Sequence, residues 1–178
     1  MEFISKYWEA IIALSALATS ILATIISFKL FKLKEIHFRK SVKPMLQIGQ
    51  WDYENNLMIN VINSGLGPAV INEIVVFKNK HERKTCIYDW LPKKLPGTMN
   101  FKEYWTGHQN FVINVNQEIK LIEISIDTTV QEQIECREQI RGILRDLTVK
   151  ITYSDFYDKK IEDKEMSLRL FARADNVN

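Results

Sequence analysis

The chain has 178 residues, 46% apolar and 26% charged, a mix that excludes a disordered polymer and a collagen-like repeat. Two cysteines exclude a disulfide scaffold, and six glycines with four prolines leave no room for a long flexible linker. The net charge of +2 is uneven, because residues 1–43 carry +4 and the other 135 carry −2.

Residues 1–9 read as a short extracytoplasmic N-terminus, followed by nineteen residues without a charge from Ala10 to Phe28. As a helix this stretch is about 28 Å long, close to the hydrocarbon thickness of about 30 Å. Tyr7 and Trp8 precede it, where aromatic side chains favour the membrane interface. A cleaved signal peptide would open with basic residues and close on small ones. Here the opening, MEFISKYWE, holds two acids and one lysine, and the stretch runs into FKLFKLK. A buried core helix would need apolar cover that the following domain is too small to supply. A retained span over 10–28 is therefore predicted.

The flanks predict its orientation. Residues 29–43 hold Lys29, Lys32, Lys34, Arg39, Lys40 and Lys43 against Glu35 alone. Cytoplasmic flanks carry the Lys/Arg excess, so the N-terminus is expected outside and residues 44–178 in the cytoplasm. Two cysteines without a pairing motif agree with a reducing compartment.

Within the span, Ala13, Ala16, Ser20, Ala23 and Ser27 recur at alternating spacings of 3 and 4. Leu14, Leu17, Ile21, Leu22, Ile25 and Ile26 take the opposite face. Small residues let helices approach closely in lipid, and hydroxyls bond across them. The stripe predicts self-association; its rival is chance, since Ala, Ser and Thr are common in such helices. No charge lies inside the span, so no proton relay or ion site is expected.

Residues 29–43 read as continued helix, with Phe31, Leu33, Ile36 and Phe38 among the basic residues. One reading lays this segment on the anionic inner leaflet. The other, preferred, has its Lys and Arg only set topology and snorkel to the headgroups. Pro44 marks the boundary, because the residue before a proline is pushed out of helix.

After Pro44 the period changes from 3.6 to 2. Leu46 and Ile48 alternate, then Leu57, Ile59 and Val61. INEIVVF at 71–77, TCIY at 85–88 and FVINV at 111–115 follow. Ile122, Ile124 and Ile126 alternate, as do Leu147, Val149, Ile151 and Tyr153, and Met166, Leu168 and Leu170 close the set. About eight short strands with turns between them predict an antiparallel β-sandwich. One helix interrupts it. Thr129 and Glu132 stand at capping-box spacing before VQEQIECREQIRGIL, whose Cys136, Ile140 and Ile143 share a face. The expected fold is a single transmembrane helix followed by a mainly antiparallel, Ig-like β-sandwich with one helical insertion.

Two turns stand out. In Asn63-Ser64-Gly65-Leu66-Gly67-Pro68-Ala69 the glycines allow positive φ. A phosphate-cradling loop would need a Gly-Lys-Ser/Thr ending or a third glycine, so a plain β-turn is the better reading. Tyr153 to Lys160 reads as a hairpin loop. Its Asp155 and Asp158, with Asp163, match no EF-hand spacing.

The Asn-x-Gly-x-Gly-Pro-Ala turn at 63–69 and the aromatic-Ser-Asp-aromatic hairpin at 153–157 resemble a loose group of small bacterial proteins. These carry an N-terminal membrane helix and a cytoplasmic Ig-like or barrel-like β domain. The likeness spans roughly 44–170. Similar proteins act as effectors in antiphage systems, including retrons and cyclic-nucleotide signalling operons, where a triggered effector compromises the inner membrane. The resemblance implies a bacterial inner-membrane location and that role.

Enzyme chemistry finds no pattern. His37, His81 and His108 have no ligand spacing to one another or to a cysteine, and His81-Glu82 lacks a zincin's second histidine. Cys86 and Cys136 read as small core residues. No nucleophile elbow or kinase signature occurs. Glu132, Glu135 and Glu138 read as a solvated helix face. No catalytic residue, metal site or cofactor is predicted, and a β domain of net −2 lacks the basic face that nucleic acid needs.

The long connection at 90–110 is the candidate partner surface, carrying Trp90, Tyr104, Trp105 and His108. Such aromatics favour interface hot spots, and equally sandwich cores. The expected partners are the lipid bilayer, further copies of the chain, and a cytosolic protein or signal ligand. Two functions follow: a non-enzymatic effector that self-associates and impairs the membrane, or a tether that holds a cytosolic partner there harmlessly.

Overall fold

The two periodicities of the sequence become two separate units, Met1–Ser41 and Val42–Asn178. The computed structural model describes residues 2–78, 82–107, 109–157, 160–161 and 163–176.

The first unit is one helix, α1, Glu2–Ser41. It passes Phe28 without a break, continues through the basic segment, and stops three residues before Pro44. Between Tyr7 and Phe38 it is long and apolar enough to cross a membrane, and the chain buries none of that surface. Leu14, Leu17 and Ile21 all stand more than half exposed, a surface that lipid, not water, solvates favourably.

Among the described residues the second unit holds nine strands: β1 Leu46–Tyr53, β2 Asn56–Asn63, β3 Ala69–Lys78, β4 Glu82–Lys84, β5 Asn100–Tyr104, β6 Phe111–Ile113, β7 Glu118–Ser125, β8 Leu147–Ser154 and β9 Lys164–Ser167. One sheet runs β1-β2-β7-β5; the other runs β4-β3-β8-β9, with β6 also paired to β3. Every pairing is antiparallel. Helix α2, Gln131–Leu144, is inserted between β7 and β8. The architecture is thus an apolar N-terminal helix followed by a two-sheet antiparallel sandwich with one helix.

Alternation explains the core. Leu57, Ile59 and Val61 of β2 and Leu147, Val149 and Ile151 of β8 are all fully buried. Each such side chain contributes about 1.5–3 kcal/mol by leaving water. Cys136, Ile140 and Leu144 of α2 join them, with Ile143 only partly buried. Two extra residues break the alternation. In β3 the buried set runs Ala69, Ile71, then Ile74 and Val76, because the pairing with β8 slips between Ile71 and Glu73. In β7 a slip opposite Ile59 and Asn60 buries Leu121 beside Ile122. Bulges of this kind re-aim side chains from one face to the other.

Several expectations need correction. TCIY at 85–88 is not a strand: Cys86 is extended, but Ile87–Trp90 turns into a 3-10 helix that buries Ile87. The short strand β4 lies just before it, in charged Glu82–Lys84. The connection at 90–110 contains β5, an edge strand with four of its five residues exposed, so no alternation marks it. Met166 belongs to β9, whereas Leu168 and Leu170 lie beyond its last residue, Ser167. The capping box also fails to form, since Val130 is the N-cap. Thr129 instead donates its hydroxyl to Asp127 at 2.7 Å and its N–H to the same carboxylate oxygen at 3.0 Å. The nearer, charged acceptor wins. Buried Gln133 makes the reach-back bond, accepting the Asp127 N–H at 2.8 Å.

Candidate functional site

The first candidate surface is the α1 stripe. Ala13, Ala16, Ser20, Ala23 and Ser27 are all exposed, and a helix turns residues at these spacings to one side. The hydroxyls of α1 divide into two groups. Ser15 donates to the Ile12 carbonyl at 2.8 Å, Thr19 to Ala16 at 2.9 Å, and Thr24 to Ser20 at 2.9 Å. These three lie off the stripe and are satisfied inside their own helix. Ser20 and Ser27, on the stripe, make no side-chain hydrogen bond among the described residues.

The basic segment follows on the same helix. Lys29, Lys32, Lys34 and Lys40 are exposed, with Phe31, Leu33, Ile36 and Phe38 exposed between them. Arg39 lies in the helix, its side chain outside the described residues. Cations near a helix C-terminus also offset the helix dipole.

The aromatic residues of the 84–111 region are brought together in two groups. Tyr88 stacks on Tyr104 at 4.5 Å and meets Phe101 edge-on at 4.9 Å. Lys93 lies 3.6 Å from the Tyr88 ring centre, and Lys84 lies 4.5 Å from that of Trp90. Trp105 packs on Phe111 at 4.4 Å. Trp90 and Trp105 are partly buried against the core, while Tyr104 is 43% exposed. Two of the four expected residues thus support the sandwich and one faces solvent. His108, like His81 and Asp158, lies outside the described residues.

The glycine loop at 64–68 is structural. The Asn63 side chain is fully buried and uses all its bonding capacity. Its amide donates to the Gly67 carbonyl at 2.8 Å and the Ile113 carbonyl at 3.0 Å. Its oxygen accepts the N–H of Gly65 at 3.0 Å and of Met45 at 3.2 Å. Ser64 N–H bonds the Met45 carbonyl and Leu66 N–H the Lys43 carbonyl. Three of the loop's four N–H groups, those of Ser64, Gly65 and Leu66, are therefore occupied by the chain itself. Neither glycine has positive φ. Both are needed because the Val42–Met45 backbone lies against them; a Cβ on Gly65 would sit 2.6 Å from the Lys43 oxygen.

A depression of about 380 Å³ that no sequence pattern marks lies on the outer face of the second sheet. Val75 and Phe77 floor it, with Glu73, Arg83, Lys150 and Glu165 around them. Glu73, Arg83 and Glu165 make no ion pair among the described residues, whereas Lys150 holds Asp163 at 2.9 Å. That contact pushes the lysine up and holds the carboxylate below its ordinary range. The bulge at Asn72 is what turns Glu73 outward, and no sequence period announces it.

No three His, Cys, Asp or Glu side chains cluster at metal-binding distance among the described residues. Cys86 and Cys136 are both buried and unpaired, and burial pushes the Cys136 thiol up. No protein-family model, curated protein or solved structure matches the chain.

Proposed function

We propose that this chain is a non-enzymatic effector of a bacterial inner membrane, of the kind used in antiviral defence. In this reading α1 crosses the bilayer once, with its N-terminus outside and the β-sandwich in the cytoplasm, because the Lys/Arg excess follows the span. The β domain receives a cytosolic protein or signal ligand. The spans then associate along Ala13, Ala16, Ser20, Ala23 and Ser27, and the assembly impairs the membrane.

The observation that carries the reading is the division of hydroxyls in α1. Ser15, Thr19 and Thr24 are satisfied within the helix, but Ser20 and Ser27 are not. Hydrocarbon offers no water to a free hydroxyl. A second helix against the same small-residue face offers both close packing and a partner.

The test is induced expression in a bacterium, following growth and uptake of an impermeant dye. Arrest with dye uptake, abolished by Ala16→Leu, Ser20→Leu and Ala23→Leu together, is expected. Unimpaired growth and an intact membrane at high membrane density would count against it. That result would favour a tether, for which the exposed Tyr104 on the first sheet and the depression lined by Glu73, Arg83 and Glu165 on the second supply two separate surfaces.

A further inference from the structure

Among its described residues the β domain displays nine large apolar side chains more than a third exposed, and six of them stand at one end of the sandwich. These are Met45, Leu66, Val112, Val115, Phe156 and Tyr157. The strand register places them together. Leu46 pairs with Asn63, Ala69 with Ile113 and Val70 with Ser154, so the loops 64–68 and 114–117 and the turn at 155–157 all leave the sheets at this end. Leu66 and Phe156 are the most exposed of the set, at 73% and 71%.

The same end receives the chain from α1. Val42 follows Ser41 directly, and Val42–Met45 is fastened here by Asn63, Ser64 and Leu66. Neither Ser64–Pro68 nor Phe111–Gln117 contains a charge. The Leu66 tip is presented by a fixed backbone, its own N–H bonded to the Lys43 carbonyl at 3.2 Å. An apolar patch held out rigidly into water marks an interaction surface.

We propose that this end of the β domain docks on the bilayer surface, with Leu66, Phe156 and Tyr157 entering the headgroup layer. The inference rests on α1 being a membrane span, but not on membrane damage. Reach permits it. α1 is apolar as far as Phe38, and from there to Val42 a helix covers only about 6 Å, so a tilted α1 brings this end to a headgroup layer roughly 5–8 Å deep. Tyr and Phe loop tips suit that layer.

The full chain is reconstituted in phosphatidylcholine/phosphatidylglycerol vesicles containing spin-labelled lipid. Single cysteines for a polarity-sensitive dye are placed by Leu66→Cys, Phe156→Cys, Asn55→Cys and Leu17→Cys. The two native thiols are buried, and brief labelling of the unsubstituted chain measures any background. Asn55 is exposed in the hairpin at the opposite end of the domain, and Leu17 lies in the span. Expected are blue-shifted emission and strong quenching by headgroup-level spin labels at positions 66 and 156, deep quenching at 17, and none at 55. Quenching at 17 but no more at 66 and 156 than at 55 overturns the docking alone. No quenching at 17 overturns the span and the docking together. A blue shift at 66 and 156 that grows with copies per vesicle, without lipid quenching, assigns the end to a second copy and also overturns the proposal.

Discussion

The backbone carbonyl of Val42 occupies the space in which a side chain at Gly67 would begin. The loop from β2 to β3 therefore closes on the first residues of the β domain with no atom to spare. Gly67→Ala must push backbone against backbone, and overpacking of that kind costs about 1–3 kcal/mol. Gly142, in α2, has nothing within 4 Å of the same position. There a methyl group only reduces the entropy lost on folding, so Gly142→Ala should stabilise by about 0.5–1 kcal/mol. Denaturant unfolding followed by tryptophan fluorescence measures both, and the opposite signs are the prediction.

A second prediction concerns Asp52, whose carboxylate joins β1 to α2. It accepts from Arg137 at 2.6 Å and from Arg141 at 3.0 Å, and the Arg141 side chain is only 5% exposed. Glu138 takes the other side of both guanidiniums. Asp52→Ala leaves two cations short of a partner at a nearly dry contact, and should cost about 3–5 kcal/mol. Arg141→Met should cost clearly less in the Asp52→Ala background than alone, because the pair is already broken. Equal costs in the two backgrounds would show that the two residues do not couple.

The strands rich in Ile, Val and Leu were legible in the sequence because burial on one face writes period 2 directly, as in Leu147, Val149 and Ile151. Exposed edges write nothing. β5 shows four of five side chains to solvent and β4 all three, so neither carries a pattern. The Asp52 cluster was invisible for a different reason. Arg137, Glu138 and Arg141 look like any solvated helix face, and their partner lies 85 residues or more away in the chain. The glycines of the 64–68 loop stand out in the sequence as sites for positive φ; the actual reason for them, a backbone packed against them, is a tertiary contact. Of the candidate sites, the α1 stripe could be drawn from spacing alone. The apolar end could not, since Leu66, Val112 and Phe156 meet only through the strand register.

Acid should weaken the β domain in a defined window. Lys120 hydrogen-bonds Glu123 at 2.6 Å, Thr129 bonds Asp127, and Lys150 bonds Asp163. Each contact holds its carboxylate below the ordinary range. A carboxyl group that is more acidic folded than unfolded stabilises the fold above its unfolded value, and loses that contribution as pH falls through the folded one. Stability should therefore be flat at neutral pH and decline below about pH 4. Lys120 and Lys150 are raised by the same contacts. Their contribution is complete below the ordinary lysine value and is lost only as pH rises above it. Unfolding midpoints against pH, with Glu123→Gln, check this: the variant should lose less stability on acidification than the native chain.

The stripe on α1 makes the last prediction, and it is directional. In native membranes, Ala16→Cys and Ala23→Cys should form disulfide-linked dimers under mild oxidation. Leu14→Cys and Ile21→Cys, on the opposite face, should not. Ser20→Ala with Ser27→Ala removes the two hydroxyls that the helix leaves unsatisfied. Interhelical hydrogen bonds in lipid are worth about 0.6 kcal/mol each on average, so the pair should weaken association by roughly 1 kcal/mol, about fivefold. The Ala16→Cys yield should fall accordingly at low expression, and recover as the density of the chain in the membrane rises. Cross-linking spread evenly around the helix would mean that collisions, not this face, bring the copies together.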